Sequence, residues 1–195
     1  TYDGKIHSII YKLNHSESEI IYTGNDKVNA GKYNITAEVK ETKNYKGISV
    51  TNELVINKAE TVLTLDSLTE YTYDGKVHSI VYKINHNESE IIYAGNDKVN
   101  AGNYNVSIEV KESDNYKGLS FTTELIIKKA ESIIETEDIT VTYDKATHSI
   151  IGTLNHNETQ IEYTGNDKVN AGEYVVVLYA KETANYKEAR KEAKL

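Results

Sequence analysis

Residues 29–40 read Asn29-Ala30-Gly31-Lys32-Tyr33-Asn34-Ile35-Thr36-Ala37-Glu38-Val39-Lys40, and this stretch decides the fold class. Tyr33, Ile35, Ala37 and Val39 alternate with Asn34, Thr36, Glu38 and Lys40. A period of two sends the first set to one face of an extended strand and the second set to the other. The Asn-Ala-Gly ahead of it is turn chemistry, so the strand begins at a tight loop. Beyond Asn44-Tyr45-Lys46-Gly47 the alternation resumes through Ile48, Val50, Leu54 and Ile56, with Asn52 the one polar interruption. Two such runs joined by a short Gly-bearing loop predict a hairpin. Upstream, His7–Leu13 and Glu19–Tyr22 read as two more short strands around the polar loop Asn14–Ser18, with Asp3-Gly4 as the turn before them.

The same pattern returns twice. Thr1–Glu60 aligns without a gap on Thr72–Glu131, with 44 of 60 positions identical, and a third copy starts at Thr142. The period of 70 to 71 residues exceeds that of most stacked solenoid units, so each copy is expected to bury its own core. The expected modules are 1–58 with its first strand missing, 59–129 complete, and 130–195 with its last strand truncated. The pattern is that of an excerpt from a longer array. Short strands in modules of this size predict an all-β fold of three tandem small immunoglobulin-like β-sandwich modules. Leu125–Lys129 runs through Ala130-Glu131 into the next copy with no Gly or Pro. Such a junction leaves little freedom, which predicts an extended rod.

Composition narrows the chemistry. The chain has no Cys, so disulfides and Cys-based zinc sites are excluded. A formal net charge of −8 argues against nucleic-acid partners. No apolar run is long enough to span a bilayer, so no membrane insertion is expected of these residues.

Candidate reactive residues are few. His7 and His15, with counterparts His78, His86, His148 and His156, stand at opposite ends of one expected strand, too far apart to share a metal. Gly24-Asn25-Asp26-Lys27-Val28-Asn29 offers one carboxylate beside a Lys, poor chemistry for calcium and suited to a loop bonding its own backbone. Asn34-Ile35-Thr36 and Asn105-Val106-Ser107 match the glycosylation sequon by pattern. No Ser-His-acid order, phosphate loop or zinc signature is present, so no catalytic residue, cofactor or enzyme activity is expected.

Tyrosines carry the remaining signal, 16 of them against one Phe. Asn29-Ala30-Gly31-Lys32-Tyr33, repeated at Asn100–Tyr104 and Asn170–Tyr174, resembles the turn and Tyr that open strand F of many immunoglobulin-like domains, which assigns Tyr33, Tyr104 and Tyr174 to a structural corner. Tyr45, Tyr116 and Tyr186 sit in the hairpin loop, placed to pack over the end of the module or to stack on a sugar. In copy three alone, Val175, Val177 and Tyr179 replace polar residues on the outer face, a candidate interaction patch.

Tyr2-Asp3-Gly4-Lys5 followed by His7-Ser8, the Tyr22-Thr23-Gly24-Asn25 segment, the Ala-Gly-x-Tyr turn, Asn44-Tyr45-Lys46-Gly47 and a closing strand ending in Lys58-Ala59 together resemble the MBG/YDG-type repeats of bacterial surface proteins. Copy three departs from that pattern at Lys145, Gly152 and Glu188. The resemblance implies an extracellular location on a bacterial cell surface and brings no catalytic or ligand residues. Two functions follow from it. One is a structural stalk whose partners are the neighbouring repeats of the same chain. The alternative is a set of repeats that bind a host glycan or matrix protein through many weak contacts.

Overall fold

The computed structural model describes all 195 residues, and its regular elements are strands only. In chain order these are β1 (Ile20–Thr23), β2 (Gly31–Val39), β3 (Ile48–Ile56), β4 (Leu63–Leu65), β5 (Glu70–Thr72), β6 (Tyr82–Ile84) and β7 (Ile91–Ala94). They are followed by β8 (Gly102–Val110), β9 (Leu119–Lys128), β10 (Ile134–Glu135), β11 (Thr153–Leu154), β12 (Ile161–Thr164), β13 (Val175–Ala180) and β14 (Ala189–Lys194). There is no helix long and apolar enough to cross a membrane. The chain divides into two compact units, one of Thr1–Asp66, Tyr82–Ala94 and Ser107–Thr122, the other of Ser67–Val81, Gly95–Val106 and Thr123–Leu195. Each unit contains one of the two joints between sequence repeats.

In the first unit β1, β2 and β3 form an antiparallel sheet, and the hairpin of β2 and β3 runs in register from Gly31 opposite Ile56 to Val39 opposite Ile48. Its inward face buries Ile35, Ala37, Val39 and Ile56. Burying an Ile or Val of this kind contributes about 1.5–3 kcal/mol, so the alternation in the sequence is also the main source of stability. β4 pairs with β6, and β7 pairs with the Ser107–Val110 end of β8, where Ile108 and Val110 are buried. In the second unit β5 runs parallel to β9, Glu70 opposite Ile126, near the buried Ile80, Val106, Leu125 and Ile127. β12, β13 and β14 form an antiparallel sheet, β10 pairs with β11, and Ile134, Ile150, Val176, Leu178, Ala180 and Ala193 form one core cluster.

The expected strand His7–Leu13 is not a strand. His7 alone makes a bridge, exchanging backbone hydrogen bonds with Lys27, and only Tyr82–Ile84 and Thr153–Leu154 form short strands in the other copies. Side chains replace the missing ladder. Asn25 accepts the Ile9 N–H through Oδ1 and donates to the Ile9 carbonyl through Nδ2, both at 2.9 Å. The Tyr22 hydroxyl accepts the Tyr11 N–H at 2.7 Å. Asn96 and Asn166 serve Ile80 and Ile150 in the same way. An amide side chain mimics a strand's donor and acceptor, and the backbone stays satisfied without a pleated partner.

Two expected inward residues, Ile48 and Val50, are 58% and 37% exposed. Asn52 is exposed and donates its amide to the Tyr11 hydroxyl, whereas the same register position holds half-buried Thr123 and fully buried Ala193 in the other copies. Copy three's departures are accommodated. Lys145 keeps the left-handed conformation of Gly4 and Gly75 (φ +69° against +75° and +76°), and Asp144 accepts the Ala146 N–H at 2.8 Å as Asp3 accepts that of Lys5. Gly152 leaves room for Leu178, since a Cβ at this position would lie 2.4 Å from Leu178 Cδ2.

Candidate interface between repeats

The residues copied most faithfully meet where one repeat joins the next. At the first joint, the hairpin tip of the second repeat carries Asn115 and Tyr116. Ser113 shapes it, donating its N–H to the Tyr116 carbonyl and accepting the Tyr116 N–H on its hydroxyl, both at 3.0 Å. Asn115 is only 7% exposed and has a partner for every polar group. Its Oδ1 accepts the Ala30 N–H at 2.8 Å, and its Nδ2 donates to Glu88 Oε1 at 3.0 Å and to Asn29 Oδ1 at 3.5 Å. Its own N–H donates to Glu88 Oε2 and its carbonyl accepts the Ala59 N–H at 2.8 Å. Lys117 returns an N–H to the Ala59 carbonyl at 2.9 Å, so the linker pairs with the tip as a one-residue parallel strand.

Around this clip, Lys58 Nζ donates to Glu112 Oε1 and to the Ser113 carbonyl, each at 2.6 Å. Lys117 and Glu60 form an exposed ion pair, worth no more than about 1 kcal/mol. Tyr116 stacks on His86 at 3.9 Å between centroids and meets Tyr2 edge-on at 5.5 Å. Tyr116 therefore packs at this joint.

The second joint repeats the first. Asn185, also 7% exposed, accepts the Ala101 N–H at 2.8 Å and donates to Glu158 Oε1 at 2.8 Å and to Asn100 Oδ1 at 3.4 Å. Ala130 donates its N–H to the Asn185 carbonyl and accepts the Lys187 N–H on its own carbonyl, both at 2.8 Å, and Lys129 Nζ reaches Glu182 and the Thr183 carbonyl. Tyr186 stacks on His156 and meets Tyr73 edge-on at 5.4 Å. The acids in both clips are polarised by their asparagines: hydrogen bonds from Asn115 and Asn185 hold the Glu88 and Glu158 carboxyls below the usual range.

The corner tyrosines stand directly behind these contacts. Tyr33, Tyr104 and Tyr174 are half-buried and donate their hydroxyls to the carbonyls of Asn29, Asn100 and Asn170 at 2.9, 2.8 and 3.0 Å. Each bond fixes the residue just before the alanine whose N–H meets the clip in the two joints. Gly31 permits the geometry, because a Cβ there would sit 2.9 Å from the Tyr33 hydroxyl. Lys27 lies over the Tyr33 ring at 5.3 Å, and Lys98 and Lys168 repeat the contact.

The other candidates fall elsewhere. His7 pairs with Asp3 at 3.0 Å while His15 stacks on Tyr45, so the two histidines of a copy serve separate structures. In the Gly24–Asn29 loop, Asn25 serves Ile9 and Asp26 accepts from Ser8 at 2.6 Å, which engages the polar groups within the fold. Asp3, Asp74 and Asp144 titrate below the usual range, chiefly because backbone N–H groups of Lys5, Lys76 and Ala146 bond to them. On β13, Val175 is 54% exposed while Val177 and Tyr179 are half-buried. Their register partners on β14 are Lys194, Glu192 and Arg190, so charged residues flank the stripe. Tyr179 donates to Glu188 Oε2 at 2.6 Å, the bond that chiefly raises its pKa. Asn115 and Asn185 are the residues that sequence reasoning missed as site residues, although Asn-Tyr-Lys recurs in all three copies.

Among solved structures, the chain is similar to a SusE-like surface-located polysaccharide-binding protein from the heparin utilisation locus of Bacteroides thetaiotaomicron, with 8% identity and a TM-score of 0.23. The match covers 91% of this chain and 54% of that one. A likeness at this score says nothing of what this chain binds. No curated protein matches the sequence. The MBG domain matches residues 1–60 and again residues 61–131, which together are more than half of the 195 residues. The two matches meet at residues 60 and 61, inside the first clip, and by them the chain belongs to the MBG domain family.

Proposed function

We propose that this chain is a non-enzymatic structural segment of a bacterial surface adhesin, in which immunoglobulin-like β-sandwich modules follow one another as an extended rod and hold a separate domain away from the cell. One observation carries the reading: both joints use the same buried asparagine, alanine N–H and linker pairing, with no Gly or Pro in between. A joint closed by a buried, fully bonded amide has one preferred geometry, whereas a flexible tether has none. The immunoglobulin-like assignment draws on the tyrosine corner and on the segment Leu63–Thr72, which leaves its antiparallel pairing with β6 to run parallel to β9. An extracellular location on the cell surface follows from the family's expected setting.

The alternative, multivalent binding of a host glycan or matrix protein, draws on Tyr45, whose ring is 40% exposed and stacked on His15. A solution screen of the 195-residue chain against glycans and matrix proteins tests the choice. The spacer reading expects no saturable binding. Saturable binding abolished by Tyr45→Ala would replace it with the alternative.

A further inference from the structure

We propose that the edge-on tyrosine pairs at the two joints, Tyr2 with Tyr116 and Tyr73 with Tyr186, are sites of oxidative cross-linking, where a one-electron oxidant of the peroxidase and hydrogen peroxide class ties one repeat covalently to the next. The inference stands on the geometry of the joints, whether or not the array is a stalk.

Composition directs oxidation to tyrosine. The chain has no Cys, no Met and no Trp against 16 Tyr. The sulfur side chains that oxidants ordinarily attack first are absent, and so is indole, which leaves phenol as the most readily oxidised group. Placement then selects among the phenols. Two aromatic pairs in the fold join Tyr to Tyr, and each spans a joint. Their centroids are 5.5 and 5.4 Å apart, with interplanar angles of 77° and 79°. The rings are already neighbours, so coupling needs side-chain rotation and no diffusive encounter.

Both partners are held. Tyr2 and Tyr73 donate their N–H groups to the carbonyls of Asn57 and Lys128 at 2.7 and 2.8 Å, while Tyr116 and Tyr186 stack on His86 and His156. All four tyrosines are half-buried, within reach of a small oxidant. Burial, then the Glu158 carboxylate and Tyr186, raises the Tyr73 pKa. That phenol is therefore neutral at physiological pH and loses a proton together with its electron. The partner phenol does the same, and the two phenoxyl radicals form one bond between ortho carbons. The hydrogens on those carbons move to the oxygens and restore two phenols. Two hydrogens leave in all, and one hydrogen peroxide takes them up as it is reduced to two waters.

At about 1 µM chain, a ring beside its partner outcompetes rings on other molecules, because effective concentrations within a molecule are on the order of 1 mM. Peroxidase with limiting hydrogen peroxide is expected to give dityrosine fluorescence in the monomer. Peptide mass spectrometry is expected to find Tyr2 linked to Tyr116 and Tyr73 to Tyr186, each product two hydrogens lighter than its separate peptides. Tyr73→Phe keeps a ring in place and is expected to remove the second link alone, lowering monomer fluorescence about twofold. Adding Tyr2→Phe is expected to remove the rest, and unfolding in urea before oxidation to scatter the links over many tyrosines. Links chiefly among other tyrosines of the folded chain, links only between chains, oxidation without coupling, or fluorescence unmoved in the double variant overturns the proposal.

Discussion

Asn115→Ala separates a clipped joint from two repeats that merely follow one another. The asparagine is 7% exposed and its Oδ1 is the acceptor for the Ala30 N–H at 2.8 Å. Truncation leaves that N–H unpaired at a half-buried position, a loss of about 1–3 kcal/mol against local opening of the joint. Glu88 loses a donor too, but it is solvent-exposed and rehydrates. Native-state hydrogen exchange reads the effect directly, as about 5- to 150-fold faster exchange at Ala30. Asn185→Ala is expected to do the same to Ala101. Asn44→Ala, exposed and without an alanine partner, is expected to change stability by less than about 0.5 kcal/mol. Less than about twofold change at Ala30, given that 1.4 kcal/mol is tenfold, refutes the clip.

Three further outcomes follow from particular residues. Glu88 and Glu158 titrate below the ordinary glutamate value of 4.5, so the stability they contribute is present above that value and lost as pH falls through their lowered pKa. Melting temperature is therefore expected to hold from neutral pH down to about 5 and fall below it, with a shallower fall in an Asn115→Ala, Asn185→Ala double variant. Lys145→Gly relieves a left-handed non-glycine residue and is expected to raise stability by about 0.5–1 kcal/mol in urea titration, the strain relief exceeding the entropy cost of Gly; destabilisation refutes that account of the turn. Tyr104→Ala removes a half-buried ring and its bond to Asn100 and is expected to cost about 2–3 kcal/mol, against less than about 0.5 for the outward Asn105→Ala; equal losses would put the corner on the wrong residue.

The strands that carry hydrophobic alternation, such as Gly31–Val39 and Gly102–Val110, were legible because a two-residue period maps directly onto two faces. His7–Leu13 was misread for a physical reason: Asn25 supplies from its side chain the donor and acceptor that a neighbouring strand would supply, and no periodicity encodes that substitution. Lys145 stands where the other copies have Gly4 and Gly75, yet Asp144 holds the turn in the conformation of its glycine counterparts. The clip left only a trace, the recurrence of Asn-Tyr-Lys. Its acceptor meets a donor 85 residues earlier, at Ala30, a pairing that tertiary contact alone reveals.

The central claim is reach, and small-angle scattering of the 195-residue chain tests it most directly. Modules with strands of about ten residues plus end loops are roughly 35–40 Å long, so three in line span about 100 Å, with a radius of gyration near 30 Å. A compact arrangement of the same chain has a radius of gyration of about 16 Å. The account predicts the larger pair of values, retained at high dilution; a radius close to the compact value, with a maximum dimension about half that of the rod, contradicts it.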